Sequence, residues 1–232
     1  MTTSTLGPAT LQGTTRKVLL RLVLAWLGMP VLFLLPAGTL RWWQAWVYCI
    51  GLLVPMSVFV LLTLRTDPEF LQRRIDMREK ERTQRRVLSW GAPVFAALYI
   101  LPGLDHRFGW SAVPLTTVIV AQVSALLGYL AVLRVFYVNR WAGRTIEVVA
   151  GQKLVTTGPY AIVRHPMYTA SLVLYLATPL ALGSYWGLIP ALLSTVVLVL
   201  RIGNEEEVLL RELPGYAEYR ASVRYRLVPL VW

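Results

Sequence analysis

Apolar positions dominate four stretches of the chain, near 18–38, 42–64, 87–104 and 112–133. Each is close to the ~20 residues an α-helix needs to cross a ~30 Å hydrocarbon core. A fifth stretch, 170–200, holds no charged residue along its whole length. As one straight helix it would be ~45 Å long, well beyond that core. Gly183, Ser184 and Gly187 interrupt it between Pro179 and Pro190. This predicts a helical hairpin with short members near 167–182 and 185–202; a single kinked helix is the alternative. Residues 1–15 are polar and precede Arg16 and Lys17, and the apolar run after them has the length of a membrane span rather than of a signal peptide. The expected fold is therefore an all-α integral membrane protein of about four full transmembrane helices plus a C-terminal helical hairpin. It divides into N-terminal spans (1–133) and a C-terminal region (134–232) in which the hairpin is flanked by polar segments.

The charges follow the spans. Segments 1–21, 65–86, 134–166 and 201–232 alternate with the apolar runs to one side and carry 21 of the 23 Lys and Arg; Arg41 and Arg107 fall on the other. The positive-inside rule then places both termini and these segments in the cytosol. Segment 65–86 also carries Asp67, Glu69, Asp76, Glu79 and Glu81. Mixed signs at helical spacing suit an amphipathic helix on the membrane surface better than a nucleic-acid arm. The net charge of +11 is thus assigned to membrane lipids, and no nucleic-acid partner is expected.

Composition narrows the chemistry. With 56% hydrophobic and 15% charged residues the chain is neither disordered nor an ordinary soluble domain. The lone Cys49 excludes a disulfide framework and a cysteine zinc site, and with only His106 and His165 besides, no metal site is expected. No G-x-G-x-x-G follows a strand pattern, and neither a P-loop nor H-E-x-x-H occurs. A hydrolase triad has little support, because Asp105-His106 falls on the opposite face. A transporter has little support too, because no inverted repeat is visible and ionisable residues are scarce in the spans.

Two clusters remain, both on the basic face. In the first, Gly158-Pro159-Tyr160 is a turn signal, and Pro166 fits the first position of a helix, where its missing N–H costs nothing. Arg164 and His165 then stand at the helix mouth with Tyr168 on its first turn. A helix N-terminus attracts a carboxylate or phosphate, and Arg and His would reinforce that; an interfacial collar is the plainer reading. The second cluster is Arg201 to Glu212, ended by Pro214-Gly215. Glu206 shares a stripe with Ile202, Leu209, Leu210 and Leu213, and a carboxylate there needs a partner, either Arg164 or a cationic ligand. Glu205, four residues after Arg201, reads as a surface pair with it. Beyond them, Tyr216, Tyr219, Tyr225, Arg220, Arg224 and Arg226 read as headgroup anchors or as aromatic faces for a cation.

Taken together, the Gly-Pro-Tyr and Arg164-His165-Pro166-Met167-Tyr168 string, the uncharged hairpin, Arg201 with Glu205-Glu206, and the closing Arg224-Tyr225-Arg226-Leu227-Val228-Pro229 resemble the isoprenylcysteine carboxyl methyltransferase family and the related phospholipid methyltransferases, over about residues 134–232. The resemblance implies a membrane enzyme using S-adenosyl-L-methionine without a Rossmann domain. It implies that Arg164, His165 and Tyr168 hold the cofactor with Glu205 and Glu206, while Gly158 and Tyr160 shape the approach loop. The chain departs from the pattern at Ala170, where Gly is usual, and Glu207 leaves the register of the Glu pair open by one position. The acceptor would be lipophilic, entering from the bilayer with its head at the cytosolic face, and the resemblance favours a carboxylate. Arg140, Arg144 and Asn139 are the residues expected to engage it. A phospholipid amine or a thiol is the alternative acceptor. Further alternatives are a nicotinamide-dependent membrane reductase and a non-catalytic membrane protein.

Overall fold

The computed structural model describes residues 7–76, 82–143, 145, 148–149 and 151–232. Among these the chain is helical, with no strand and no Rossmann unit, and five helices are long and apolar enough to cross a membrane. It is an all-α, multi-pass membrane protein. The spans are α1 (Pro8–Ala37), α2 (Trp43–Thr66), α4 (Arg82–Phe108), α5 (Leu115–Val138) and α7 (Leu188–Glu212); α3 (Pro68–Asp76), α6 (Pro166–Ala181) and α8 (Tyr216–Ser222) are shorter.

Two boundaries differ from the sequence reading. The polar residues from Pro8 onward join α1, so this helix starts about ten residues before the apolar run. The basic segment 65–86 is not one surface helix: α2 ends at Thr66, α3 covers Pro68–Asp76, and residues from Arg82 onward belong to α4. The cause lies at Asp67-Pro68. Proline disfavours helical backbone at the residue before it, Asp67 is accordingly non-helical at φ −153°, and its side chain accepts from the Phe70 N–H at 3.2 Å, capping a new helix.

The hairpin forms as expected, α6 turning into α7 through residues 182–187. At 16 residues α6 is about 24 Å long, short of the hydrocarbon core, whereas α7 at 25 residues is about 37 Å and projects its polar end beyond it. The α6 helix packs most closely on α5, and α7 on α4. Two close approaches depend on glycine. A Cβ on Gly128 of α5 would lie 3.0 Å from the Leu174 N and 3.1 Å from the Ala170 O of α6, and one on Gly103 of α4 would lie 2.7 Å from the Phe33 O of α1. The small residue expected at position 170 is thus supplied from the facing helix.

In the core, Phe33 meets Trp42, Tyr48 and Tyr99 edge to face. Several polar groups within the bundle are paired, as a bilayer demands, while the buried Trp42 Nε1 has no partner among the described residues. Gln122 Nε2 donates to the carbonyls of Gln44 and Ala181 at 2.9 Å. At the far end Asp105 accepts from Ser111 and Ser184, closing the turn of the hairpin. This Asp105 work is structural, and His106 stacks on Trp42.

Candidate functional site

The polar ends of α5, α6 and α7, with α8 and the loops after α5, surround a cavity of about 800 Å³, counting the part open to solvent. Its position follows from local chain signals. His165 occupies the N-cap of α6 and Pro166 its first turn. Gly158, at φ 62°, starts the 3₁₀ turn Gly158–Ala161 that sets Tyr160 on the cavity wall. After α7, Gly215 at φ 81° turns the chain into α8, which brings Tyr216 and Tyr219 onto the lining, Tyr219 beside Tyr160.

A strap from the C-terminal segment fixes the mouth of α6. The Arg164 N–H donates to the Tyr225 carbonyl and the His165 N–H to the Arg226 carbonyl, both at 2.9 Å. Thr169 Oγ1 donates to the Leu227 carbonyl at 2.7 Å. Arg164 itself is buried: its Nε donates to Glu206 Oε1 at 2.7 Å, and its Nη1 to the carbonyls of Val223 and Arg224 at 2.8 Å.

The three consecutive glutamates separate by role. Glu206 is 4% exposed at its side chain and is surrounded by cationic or donor groups: Arg164, His165 Nε2 at 3.2 Å from Oε1, and Arg226 Nε at 3.0 Å from Oε2. Its partner is therefore Arg164, with His165 and Arg226, rather than a ligand. Glu205 is 23% exposed and lines the cavity. Glu207 is exposed to solvent. A carboxylate only accepts, so the Nε2 of His165 carries the hydrogen toward Glu206. Nδ1 faces the Glu205 side, 4.0 Å from Glu205 Oε1.

Arg201 is buried, not a surface partner of Glu205. Its Nε donates to Tyr168 Oη at 2.7 Å, and Tyr168 Oη in turn donates to Glu205 Oε2 at 2.5 Å. Since the arginine cannot accept, the phenol proton must point at the glutamate. The fully buried Gln84 of α4 clamps Arg201, accepting from Nη1 and donating to its backbone carbonyl, each at 3.3 Å. The network reaches across four helices' worth of sequence, which is why spacing along α7 alone misplaced Arg201.

On the other wall Asn139 Nδ2 donates to Tyr160 Oη at 2.9 Å, and Tyr219 Oη donates to the Tyr160 carbonyl at 2.8 Å. Burial pushes the Tyr160 phenol up to about 12, against the Asn139 hydrogen bond and with the help of the Glu205 charge, so it remains protonated at neutral pH. Burial likewise raises Tyr216 and Tyr219. Two residues of this lining, Tyr216 and Thr145, carry buried hydroxyl oxygens that have no hydrogen-bond partner among the described residues. Lys153 also lines the cavity, and no sequence motif had pointed to it.

Of the residues expected at the site, Tyr160, Arg164, His165, Tyr168, Glu205 and Asn139 line the cavity together. Gly158 shapes the turn from outside the lining, and Glu206 lies behind it. Arg140 is 58% exposed, lies outside the lining and pairs with Asp67. Arg144 falls outside the described residues. Gln84 and Thr145 are additions that local patterns did not single out; Arg226 and Tyr216, read from the sequence as headgroup anchors or aromatic faces, take more definite places, Arg226 on Glu206 and Tyr216 in the cavity lining.

Residues 116–216 match the family model of phospholipid methyltransferases. The matched region begins inside α5 and ends at Tyr216, so it contains the hairpin, the Arg164–Tyr168 segment and all three glutamates. None of the curated proteins compared with the chain matches it.

Proposed function

We propose that the protein is an S-adenosyl-L-methionine-dependent methyltransferase whose acceptor is the head group of a lipophilic molecule held at the membrane face. The observation that carries this reading is the cavity inside the matched region, whose lining brings together Glu205, the N-terminus of α6, and Tyr216 and Thr145, two residues whose buried hydroxyl oxygens have no partner among the described residues. A buried hydroxyl left unpaired costs about 1–3 kcal/mol, so Tyr216 and Thr145 are matched to a polar ligand.

The residues fit that cofactor. Its ammonium or ribose hydroxyls would be held by Glu205, whose Oε2 is fixed by Tyr168 and whose Oε1 remains available. Its carboxylate would lie at the N-terminus of α6, whose first N–H groups have no intrahelical partner. The rings of Tyr216, Tyr219 and Tyr160 offer faces to its cationic part. When bound, it supplies an electrophilic methyl group on a sulfonium. Glu206 acts from behind the lining on Arg164, which is part of it: their mutual pairing, completed by Arg226, holds the strap and the mouth of α6 in one geometry. The protein's contribution to rate is then positioning and exclusion of water.

An amine head is the acceptor class we favour. Removal of an ammonium proton requires an acceptor, and Glu205 and His165 Nδ1 supply two on the cavity side. The phospholipid methyltransferase match supports the same class. The carboxylate acceptor suggested by the Arg-His-Pro-x-Tyr resemblance would need a cation, and Lys153 is the lining residue that offers one, since Arg164 is taken up by Glu206 and Arg140 by Asp67. On this reading the face carrying the cavity is cytosolic, residues 134–232 are the catalytic region, and the acceptor reaches it from the bilayer.

The test is calorimetric titration of S-adenosyl-L-methionine into detergent-purified protein, followed by mass analysis of lipid extracts incubated with both. Saturable binding that Glu205→Gln abolishes, and a lipid product heavier by one methyl, are expected; the product's head group separates amine, carboxylate and thiol. Absence of binding by folded protein overturns the reading, and binding of a nicotinamide cofactor instead would turn it to a reductase.

A further inference from the structure

A second cleft opens between α1, α2 and α3 on the face that carries the cavity. Leu22 and Ala25 of α1 face Met56 and Val60 of α2 across an apolar floor, and Arg21 of α1 and Arg74 of α3 stand in the same lining. The space is about 630 Å³, counted with its open side, and no acidic residue lines it among the described residues. Polarity is graded along its depth. Ala25 lies one turn beyond Arg21, and Met56 one turn beyond Val60, so the cationic groups sit at the membrane face and the apolar floor leads toward the bilayer centre.

The two arginines are held differently. Arg74 donates from Nη1 to the Ala142 carbonyl at 2.7 Å and lies 4.0 Å over the Phe136 ring, so it cannot swing away into water. Ala142 belongs to the lining of the large cavity, so Arg74, itself outside that lining, ties the two places together through a backbone carbonyl. Arg21 is exposed and makes one long contact, from Nη2 to the Ile75 carbonyl at 3.4 Å. A guanidinium has five N–H donors in a fork that matches phosphate oxygens, and most of that fork is open on Arg21.

We infer that this cleft seats one anionic phospholipid, its phosphate on Arg21 beside Arg74 and the upper part of an acyl chain along Ala25 and Met56. A soluble anion would satisfy the fork and leave the apolar floor in contact with water; a neutral lipid would fill the floor and leave the open fork of Arg21 unmatched. An anionic lipid meets both demands. The inference stands on the α1–α2–α3 cleft and does not depend on the methyl-transfer reading.

The probe is phosphatidylglycerol. The full-length protein is reconstituted in vesicles of phosphatidylcholine and phosphatidylglycerol in equal amounts, gently extracted, and the retained lipid is counted by native mass spectrometry. One phosphatidylglycerol per chain is expected in preference to phosphatidylcholine. Arg21→Ala should reduce that retention about fivefold, the contribution of one interfacial arginine, while Arg41→Ala on the opposite face leaves it unchanged. Ala25→Phe, which fills the floor and keeps both arginines, should also release the lipid. Equal retention of the two lipids, or unchanged retention in Arg21→Ala, overturns the site. Full retention in Ala25→Phe overturns it as well, since the contact would then be a bare surface attraction.

Discussion

Tyr216 is where a single residue is most informative. The residue is 3% exposed and lines the cavity, and its buried hydroxyl has no partner among the described residues. Tyr216→Phe should leave the ligand-free protein as stable as before, or slightly more so, because it removes an unpaired buried oxygen. Cofactor affinity should fall about tenfold, the worth of one hydrogen bond in a closed site. A melting curve with and without S-adenosyl-L-methionine reads both signs at once; a loss of stability with unchanged affinity would show the hydroxyl to be structural. The two glutamates predict a similar split. Glu206→Gln leaves Arg164 and Arg226 facing a neutral group, and breaking a buried pair costs about 3–5 kcal/mol, the share of the part-exposed Arg226 being smaller. It should therefore lower thermal stability steeply. Glu205→Gln should melt like the wild type and lose cofactor binding. Arg201 acts one step further back, through Tyr168. Arg201→Lys retains a charge but loses the fork that serves Tyr168 and Gln84 together, so KM for the cofactor should rise while kcat changes little. A uniform fall in both, tracking lost folded protein, would reduce Arg201 to a structural role.

At the scale of elements, the tightest demand is on the α5–α6 crossing. A Cβ at Gly128 would press on the α6 backbone at Leu174 and Ala170, and backbone cannot yield as a flexible side chain can. Gly128→Val should therefore cost about 1–3 kcal/mol and shift the mouth of α6. Gly51, which has nothing within 4 Å, gives the matched control; equal melting of Gly128→Val and Gly51→Val would show that the helices separate freely. Elements were legible in the sequence where the signal is local. The hairpin showed in an uncharged run broken by Gly183 and Gly187, and α6 in Pro166 at its first turn. The split between α2 and α3 was equally local, written in Asp67-Pro68, but charge spacing over 65–86 masked it. The cavity's inner wiring was not legible in the same way. Arg164 finds Glu206 across 42 positions, and Arg201 finds Gln84 across 117. Helical periodicity ranks which face of α7 is buried, and Ile202 and Glu206 are, but it says nothing of what waits on the neighbouring helix.

The whole molecule is polarised, and its polarity makes a prediction about the cell. Every segment that joins the cavity or supports it, from α3 through the strap, leaves the bundle on one face, and those segments together with residues 1–21 carry 21 of the 23 basic residues. Arg41, between α1 and α2, is exposed at the opposite face. Charge excess of this kind in short loops is what holds a membrane protein in one orientation, so the cavity should open to the cytosol. The native chain offers a quiet background for testing this, because its one thiol, Cys49, is buried in α2. A membrane-impermeant maleimide applied to intact cells should label Arg41→Cys and leave Arg220→Cys, on exposed α8, untouched until the membrane is opened. The wild type should remain unlabelled in both conditions. The reverse pattern would place the cavity outside the cytosol, and the arginines of α3 would then face the other leaflet. Labelling of both variants in intact cells would mean that the chain inserts in two orientations, and the basic loops would have lost their claim to set the topology.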